Sequence, residues 1–313
     1  YSPIYAINTL QLQVNSIRAE SWLLSDVELS LSKLKQAQAQ VSLSAKKLSL
    51  PAPLDTLQLF AIQCQRFIWQ ENDIQCQQGQ AQLNSRLFGR QSFRFTLQVK
   101  NKRAHFHLSH LKLFGGNISL TLQEKRGNWT AKLQAKKVNL QKIHNFLHLK
   151  SLESLSGQGT LSAQLSGRNL SHLDKAILSA VITELSAQDI TGNLASESLT
   201  LHSELTLEKR GKMWQWQTQQ HLSKGAVYID PIYLEIQKDQ PISLKASGSL
   251  DSNNKAITLT AAALKHKNIA RIEAQAHINY QKIPPILKQA DIHLYADNLK
   301  SISTLYIAPF LEG

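Results

Sequence analysis

The sequence predicts an all-β protein, an elongated antiparallel sheet with only a few short helices. Apolar residues occupy every second position from Ile118 to Leu122, with polar residues between them, as expected for a strand with one apolar face. A polar turn at residues 125–128 and a returning strand that begins near Trp129 complete a hairpin. Runs of this kind recur along the sequence and predict about sixteen to twenty strands.

The same hairpin is echoed further along the chain. The segment LTLQEKRGNW at residues 120–129 matches LTLEKRGKMW at residues 205–214 in order and length. We expect Gly127 or Asn128 to adopt a positive φ in the first turn, and the tryptophans that end the two segments to hold equivalent positions. The match indicates one structural unit used twice, although so short a match is also compatible with chance similarity between two hairpins.

Three other segments depart from simple alternation. Leu140, Ile143 and Leu147 follow helical spacing and predict a helix of about three turns. Residues 173–185 suit either a strand or a helix, and their β-branched residues favour a strand. Pro231 lies inside a strand-like run, where it predicts a bulge or an edge position.

The two cysteines, Cys64 and Cys76, flank a predicted turn at residues 71–73. If the strands on either side of that turn pair, the cysteines approach within disulfide distance. A bridge would indicate an oxidising compartment, either periplasmic or extracellular. Two buried free thiols in a cytosolic protein are the alternative, and the spacing does not fit a CxxC redox motif.

The chain of 313 residues carries 35 basic and 22 acidic residues, a net charge of +13. The basic residues are scattered, with pairs near strand ends and turns, and the sequence has no motif of a nucleic-acid-binding domain. We therefore expect no nucleic acid partner and interpret most lysines as solvated residues that protect strand edges. A positive surface would also suit anionic membrane head groups.

The sequence offers little for catalysis or metal binding. His144 and His148 are four residues apart on the predicted helix, but no HExxH glutamate accompanies them, and Leu147 indicates that this flank faces the core. Hydrolase, P-loop and dinucleotide-binding motifs are absent from the sequence. We expect no enzyme activity, no cofactor and no metal. A second histidine set on one strand is expected to meet only water: His105, His107 and His110.

No Pro/Gly-rich linker interrupts the strands, so we expect residues 1–313 to form one continuous segment. The sequence has no run of about 18 apolar residues that could span a bilayer. It opens at Tyr1 without a methionine and is interpreted as a piece of a longer protein. Any anchor or targeting segment is then expected outside this sequence.

The predicted sheet has an apolar face far larger than a few short helices can cover. The sheet must therefore fold on itself or cover another molecule. Open lengthwise, it would form a trough that shelters acyl chains and leaves polar head groups outside. One alternative is a sheet that closes over its own side chains, and another is an envelope assembly protein that binds a polypeptide by strand addition. The predicted lining residues share the apolar phase of their strands: Phe93, Phe95, Leu97, Val99, Ile118, Leu120, Leu122, Leu199, Leu201, Leu205 and Leu207.

Several of these segments together carry a family resemblance. The FGG of residues 114–116, an alternating strand, a polar turn followed by Trp129, VNLQKI at 138–143 and GQGTLSAQLSG at 157–167 occur in this order. This order resembles the AsmA-like superfamily of bacterial envelope proteins, which includes AsmA, TamB and YdbH. Residues 192–236, with GNLASESLTL and GAVYIDPIYLEI, are most similar to the YdbH branch.

The resemblance implies a curled antiparallel sheet that forms a taco-like groove with an apolar interior. It implies a periplasmic segment of a bridge-like protein that is involved in phospholipid transport between the inner and outer membranes of a Gram-negative bacterium. The inner-membrane anchor would lie outside this chain, and an outer-membrane lipoprotein is a suggested partner. On this view residues 1–90 hold N-terminal strands with the cysteine hairpin, and residues 91–313 form the family's repeat region.

Overall fold

The computed structural model describes residues 8–19, 22–34, 39–49, 57–71, 73–85, 89–169, 172–251, 255–279 and 286–311. The chain divides into two compact units, residues 1–135 and 136–313. They are called the N-terminal unit and the C-terminal unit below.

The N-terminal unit is a series of strands that contain the alternating runs of the sequence. The strands are β1 (Thr9–Ala19), β2 (Trp22–Ser32), β3 (Ala39–Ser49), β4 (Leu57–Gln70), β5 (Asp73–Ser85), β6 (Gly89–Lys100), β7 (Arg103–Leu113), β8 (Gly116–Lys125) and β9 (Asn128–Asn139), which crosses the division point. From β1 to β8, each strand pairs antiparallel with the next one in the chain.

The C-terminal unit continues the same pattern after a short helix. Its elements are α1 (Leu140–Leu147), β10 (Leu152–Arg168), β11 (His172–Asp189), β12 (Leu194–Arg210), β13 (Met213–Ile229), β14 (Ile232–Ile236), β15 (Ile242–Asp251), β16 (Ala256–His266), β17 (Ala270–Asn279), β18 (Ile286–Ala296), α2 (Leu299–Ile302), a π-helical turn (Ser303–Ile307) and α3 (Ala308–Leu311). Sequential strands pair antiparallel, except that β13 pairs with β14 through residues 225–229 and with β15 through residues 213–222.

The eighteen described strands belong to one antiparallel sheet, so the all-β prediction and the predicted strand number are confirmed. The strand prediction for residues 173–185 is also confirmed, because they lie within β11. Helix α1 begins where the spacing changes, but it has eight residues and is shorter than three turns.

The prediction for Pro231 is wrong. Asp230 and Pro231, joined by a cis peptide bond, form the turn between β13 and β14.

In the two echoed hairpins, the loop lies at the same position relative to the tryptophan. Residues 126 and 127 connect β8 to β9, and residues 211 and 212 connect β12 to β13, so each tryptophan is the second residue of its returning strand. The Lys-Arg-Gly triplet lies one residue earlier relative to the loop in the second hairpin than in the first. Arg126 and Gly127 both have positive φ in the first loop, whereas in the second Gly211 does. The prediction that Gly127 or Asn128 adopts a positive φ is therefore confirmed, at Gly127.

Four neighbouring strands of the C-terminal unit share a line of β-bulges, called the crease below. Positive φ values occur at Gly157 on β10, Glu184 on β11, Ser198 on β12 and Gly225 on β13, beside shifts in strand register. A Cβ atom at Gly225 would lie 2.5 Å from the Cα of Leu199, so the position needs glycine. Because a bulge bends a strand and increases its twist, the sheet is bent along the crease.

Single bulges also reset the alternation in two strands near the end of the N-terminal unit. In β7 the register shifts between Leu108 and Leu111, and His110 has a positive φ. In β9 Lys137 has a positive φ, and the buried positions pass from Ala135 to Val138. Each bulge lets apolar residues three positions apart occupy the same face.

The C-terminal helical segment is held against the sheet by one buried polar pair. His266 is 1% exposed, and the hydroxyl of Tyr306 lies 2.8 Å from its Nδ1 atom. Ile302, Leu305 and Tyr306 pack beside Ile269. Burial lowers the pKa of His266 below its ordinary value of 6.5, although a hydrogen bond to the backbone of Gln240 acts in the opposite direction.

Trp129 should contribute more to stability than its counterpart Trp214. Trp129 is 9% exposed and Trp214 is half-buried, so we expect Trp129→Ala to lower the free energy of unfolding by about 3 kcal/mol and Trp214→Ala by about half of that. The Nε1 atom of Trp129 has no acceptor among the described residues. Trp129→Phe should therefore cost only about 1 kcal/mol. Urea unfolding of the three variants tests this order, and equal losses for both alanine variants would contradict it.

Protonation of His266 should weaken the C-terminal anchor. Because its pKa is lowered in the folded state, the unfolded chain takes up the proton first, and stability is lost as the pH falls below the ordinary value of 6.5. We expect the melting temperature to drop between about pH 7.5 and about pH 5, and to drop less in His266→Gln. His202→Gln, on an exposed residue of β12, is the control. Identical pH profiles for wild type and His266→Gln would disprove the assignment.

Candidate functional site, an apolar face on the sheet

An unbroken row of apolar residues crosses the N-terminal unit. Residues directly opposite each other on paired strands point to the same face of a sheet. Following the pairing from strand to strand therefore identifies which side chains share a face. One such row crosses eight strands without a polar residue: Leu10, Leu31, Val41, Cys64, Gly79, Phe95, Leu108 and Leu120.

The cysteine hairpin lies within this face. Cys64 and Cys76 form a disulfide with a Cα–Cα distance of 5.8 Å, as the sequence predicted, and each is 4% exposed. They are not opposite each other, because Cys64 pairs with Gly79 and Cys76 pairs with Phe67. The bridge thus connects two neighbouring rows of the face diagonally.

An aromatic ring covers a glycine next to the disulfide. Phe95 is opposite Gly79, and a Cβ atom at Gly79 would lie 2.5 Å from the ring. Phe95 therefore lies flat on the neighbouring strand, and the glycine is required by this close approach. The ring centroid of Phe106 is 6.0 Å from that of Phe95, so the two aromatics form one packed floor.

A comparable face crosses the C-terminal unit. Trp216 is opposite Gly248, and a Cβ atom at Gly248 would lie 2.8 Å from the indole ring and 2.0 Å from a backbone oxygen of Thr258. The aromatic-over-glycine arrangement of the N-terminal unit thus recurs. The row that contains this pair is apolar on eight strands: Leu165, Ala176, Leu207, Trp216, Gly248, Leu259, Ala276 and Ala290.

The next row of the C-terminal unit has small side chains on three adjacent strands. Ala246 on β15 is opposite Ala262 on β16, and Ala262 is opposite Ala274 on β17. A cleft of about 590 Å³ is lined by these alanines and by polar neighbours, among them Gln219 and Lys245. Small side chains leave room above the floor of the sheet that larger ones would fill.

The predicted lining residues fall into two groups by burial. Nine are half-buried, and of these Leu120 and Leu207 belong to the two rows: Phe93, Leu97, Val99, Ile118, Leu120, Leu122, Leu201, Leu205 and Leu207. Phe95 and Leu199 are buried; Phe95 packs on the disulfide, and Leu199 packs with Ile236 and Ile242 beside the crease. Contact of any of these residues with lipid stays a prediction.

The substantial contacts between elements join neighbouring strands in nearly every case. The exceptions within the described residues are α1, which packs on β10, and the C-terminal helical segment, which packs on β14. Consequently the core is thin, and the largest fully buried side chains are Ile269 and His266. Some members of the apolar rows are buried, among them Phe95 and Leu108, whereas others such as Leu120, Leu207 and Trp216 are only half-buried.

The histidine pairs considered for metal binding are occupied by local hydrogen bonds. His144 Nε2 lies 3.2 Å from the carbonyl of Leu152, and His148 Nδ1 lies 3.1 Å from that of Phe146. His107 Nδ1 is 2.9 Å from the hydroxyl of Thr121. Among the described residues, no three His, Cys, Asp or Glu side chains come together as a metal site.

The expectation that the flank of α1 at Leu147 faces the core is wrong. Leu147 is 47% exposed, and none of the eight residues of α1 is buried. The helix is amphipathic and packs on β10. Leu140 provides the inward contact, since its Cδ2 atom lies 3.4 Å from the position of a Cβ on Gly159.

Sequence reasoning missed Trp216, Leu108 and the three aligned alanines as parts of the face. Trp216 and Leu108 were detectable, because each continues an alternating run that the sequence contains. The alanines carry no such signal, since alanine occurs on either face of a strand.

No family model matches this chain, and no curated protein and no solved structure matches it. None of the helices in the described ranges has both the length and the hydropathy needed to cross a membrane.

Removal of the disulfide should destabilise the N-terminal unit. The bridge closes a short loop of separation 12, so Cys64→Ala/Cys76→Ala should lower the free energy of unfolding by about 2–4 kcal/mol. Titration of the wild-type protein in denaturant without reductant should detect no free thiol, and titration after reduction should detect both. Two reactive thiols before reduction would contradict the bridge.

Proposed function

We propose that the apolar face of the sheet shelters the acyl chains of phospholipids. The observation that carries the proposal is the pair of apolar rows, each of which crosses eight strands and includes half-buried side chains, such as Leu120 in the first row and Leu207 and Trp216 in the second. A single antiparallel layer normally covers such a face with a second layer. In this chain the described helices are too short to do so.

Acyl chains fit the chemistry of the rows. Removal of a methylene group from water contributes about 0.8 kcal/mol, so a chain of a dozen or more carbons gains a large free energy from an apolar wall without any directional contact. The rows run across the strands, and a flexible chain can therefore follow them from strand to strand. The charged head group would remain in water, since its burial without partners is costly.

The wider role that we propose is that of a periplasmic segment of a bridge-like protein involved in phospholipid transport between the inner and outer membranes. The resemblance to AsmA-like envelope proteins in segment order supports this role. The disulfide is compatible with it, because such bridges persist in oxidising compartments. Membrane attachment would come through segments outside this chain, with an outer-membrane lipoprotein as a further partner.

Strand addition of a polypeptide is the second candidate, and it would involve no lipid cargo. Strand β18 pairs with β17, and residues 287–296 are exposed, as expected for a strand near the edge of a sheet. Leu287, Ile292 and Leu294 on this strand are 59%, 67% and 60% exposed. An exposed edge of this kind can accept an extended peptide as another strand. A photo-crosslinker would then find a polypeptide along β18 rather than a lipid on the apolar rows.

Charged substitutions on the apolar face, called the row variants below although only Leu120 belongs to a defined row, should block lipid without unfolding the protein. Leu120→Glu and Leu201→Lys place a charge on half-exposed positions, so each should cost only about 1–2 kcal/mol of stability. A phospholipid with a photoactivatable acyl chain should crosslink to the wild type and lose most of its crosslinking in both variants. Thermal unfolding of the same samples provides the stability measurement.

Matched controls carry the same charges on the opposite face. Gln123→Glu on β8 and His202→Lys on β12 lie on exposed positions of the same strands and should leave crosslinking unchanged. If both row variants unfold, the face is a closed core and the proposal fails. It fails equally if both remain folded and crosslink like the wild type.

A further inference from the structure

Helix α1 and the strand end before it form an exposed basic and apolar surface, called the α1 patch below. Its cations are Lys136, Lys137, Lys142 and Lys150, and all four are exposed. No acidic residue occurs between positions 125 and 152, a stretch of 28 residues. The patch therefore concentrates positive charge at one place in the C-terminal unit.

The bulge in β9 directs two adjacent lysines to solvent. In a regular strand consecutive side chains point to opposite faces. Because Lys137 has a positive φ, Ala135 and Val138 are both buried while Lys136 and Lys137 between them are both exposed. These lysines lie three and two residues before Asn139, which caps α1.

The helix adds an apolar stripe that the sheet covers only in part. Ile143 and Leu147 are four residues apart and lie on one side of α1. Leu147 is 47% exposed and Ile143 is half-buried, while Lys142 flanks the stripe. An exposed apolar stripe beside lysines is the arrangement of helices that lie in the interface of a membrane.

Two carboxylates adjoin the patch by sequence and strand pairing, and they leave it positive. Glu153 follows Leu152 on β10, and Asp189 is opposite Leu152 on β11. The carboxylate of Asp189 is engaged, because it accepts hydrogen bonds from the hydroxyl of Thr191 and from the backbone N–H of Leu194. Four lysines against these two carboxylates favour an anionic partner.

We propose that the α1 patch docks on the surface of an anionic lipid bilayer. The lysines would contact lipid head groups, and Leu147 would enter the boundary between head groups and acyl chains. The inference does not rest on acyl-chain binding by the sheet. A protein that docks but accepts no lipid would retain this inference and lose the proposed function.

Vesicle flotation tests the docking with two lipid compositions. The protein should bind vesicles of phosphatidylcholine with about 30% phosphatidylglycerol and should not bind pure phosphatidylcholine vesicles. A lysine near an anionic surface contributes about five-fold in partitioning, so the variant Lys136→Gln/Lys137→Gln/Lys142→Gln should bind about 100-fold more weakly. Salt at about 0.5 M should abolish binding of the wild type.

The matched control removes the same charge elsewhere in the C-terminal unit. Lys212, Lys265 and Lys267 are exposed, and their replacement by glutamine should reduce binding less than five-fold. Leu147→Ser should weaken binding severalfold, and circular dichroism confirms that each variant is folded. Equal losses in both triple variants would assign the effect to net charge and overturn the proposal. Absence of binding to anionic vesicles, or equal binding to both compositions, would also overturn it.

Discussion

Lateral contact between neighbouring strands is the constraint on which the rest of this structure depends. In a two-layer domain a side chain is buried from above by the opposite layer. Here the substantial contacts join strands that are adjacent in the sheet, so side chains are buried from the sides. This explains why apolar residues such as Leu120 are half-buried although they stand in apolar rows. The same constraint that limits stability also leaves a broad face available to a ligand.

Two arrangements pack the side chains closely at particular places in the sheet. A large aromatic lies over a glycine on the next strand, as Phe95 does on Gly79 and Trp216 on Gly248. The disulfide joins two rows diagonally in the same region as the first of these pairs. The buried clusters around these pairs hold together strands whose substantial contacts, in the described part of the chain, are mostly with their neighbours in the sheet. Both units have buried clusters on the sheet, and the C-terminal unit has a further cluster in which Ile302 of the helical segment packs with Ile269 and Ala270.

Alternation predicted the strands well because an apolar face imposes a period of two wherever the backbone is regular. It failed where the backbone is irregular. The bulges at His110 and Lys137 break the period and were not predicted, although Leu108 and Leu111 stand three positions apart in the sequence. The burial of Leu147 was predicted wrongly, because helical spacing identifies the apolar side of a helix but not how much of that side the rest of the protein covers. The disulfide was predictable, since a hairpin restricts where two cysteines can meet.

The side-chain sizes along the rows bear on whether the face covers itself or another molecule. A self-filled core combines small residues with large ones opposite, because interiors are close-packed. In the C-terminal unit Ala246, Ala262 and Ala274 are consecutive across three strands, with Ala276 in the next row. A floor of such small residues reduces the apolar area that the protein itself contributes and widens the space above it. Small side chains give the protein fewer packing contacts with itself. They suit the flexible acyl chain that we propose as the ligand, because such a chain can adapt its conformation to the width of the space.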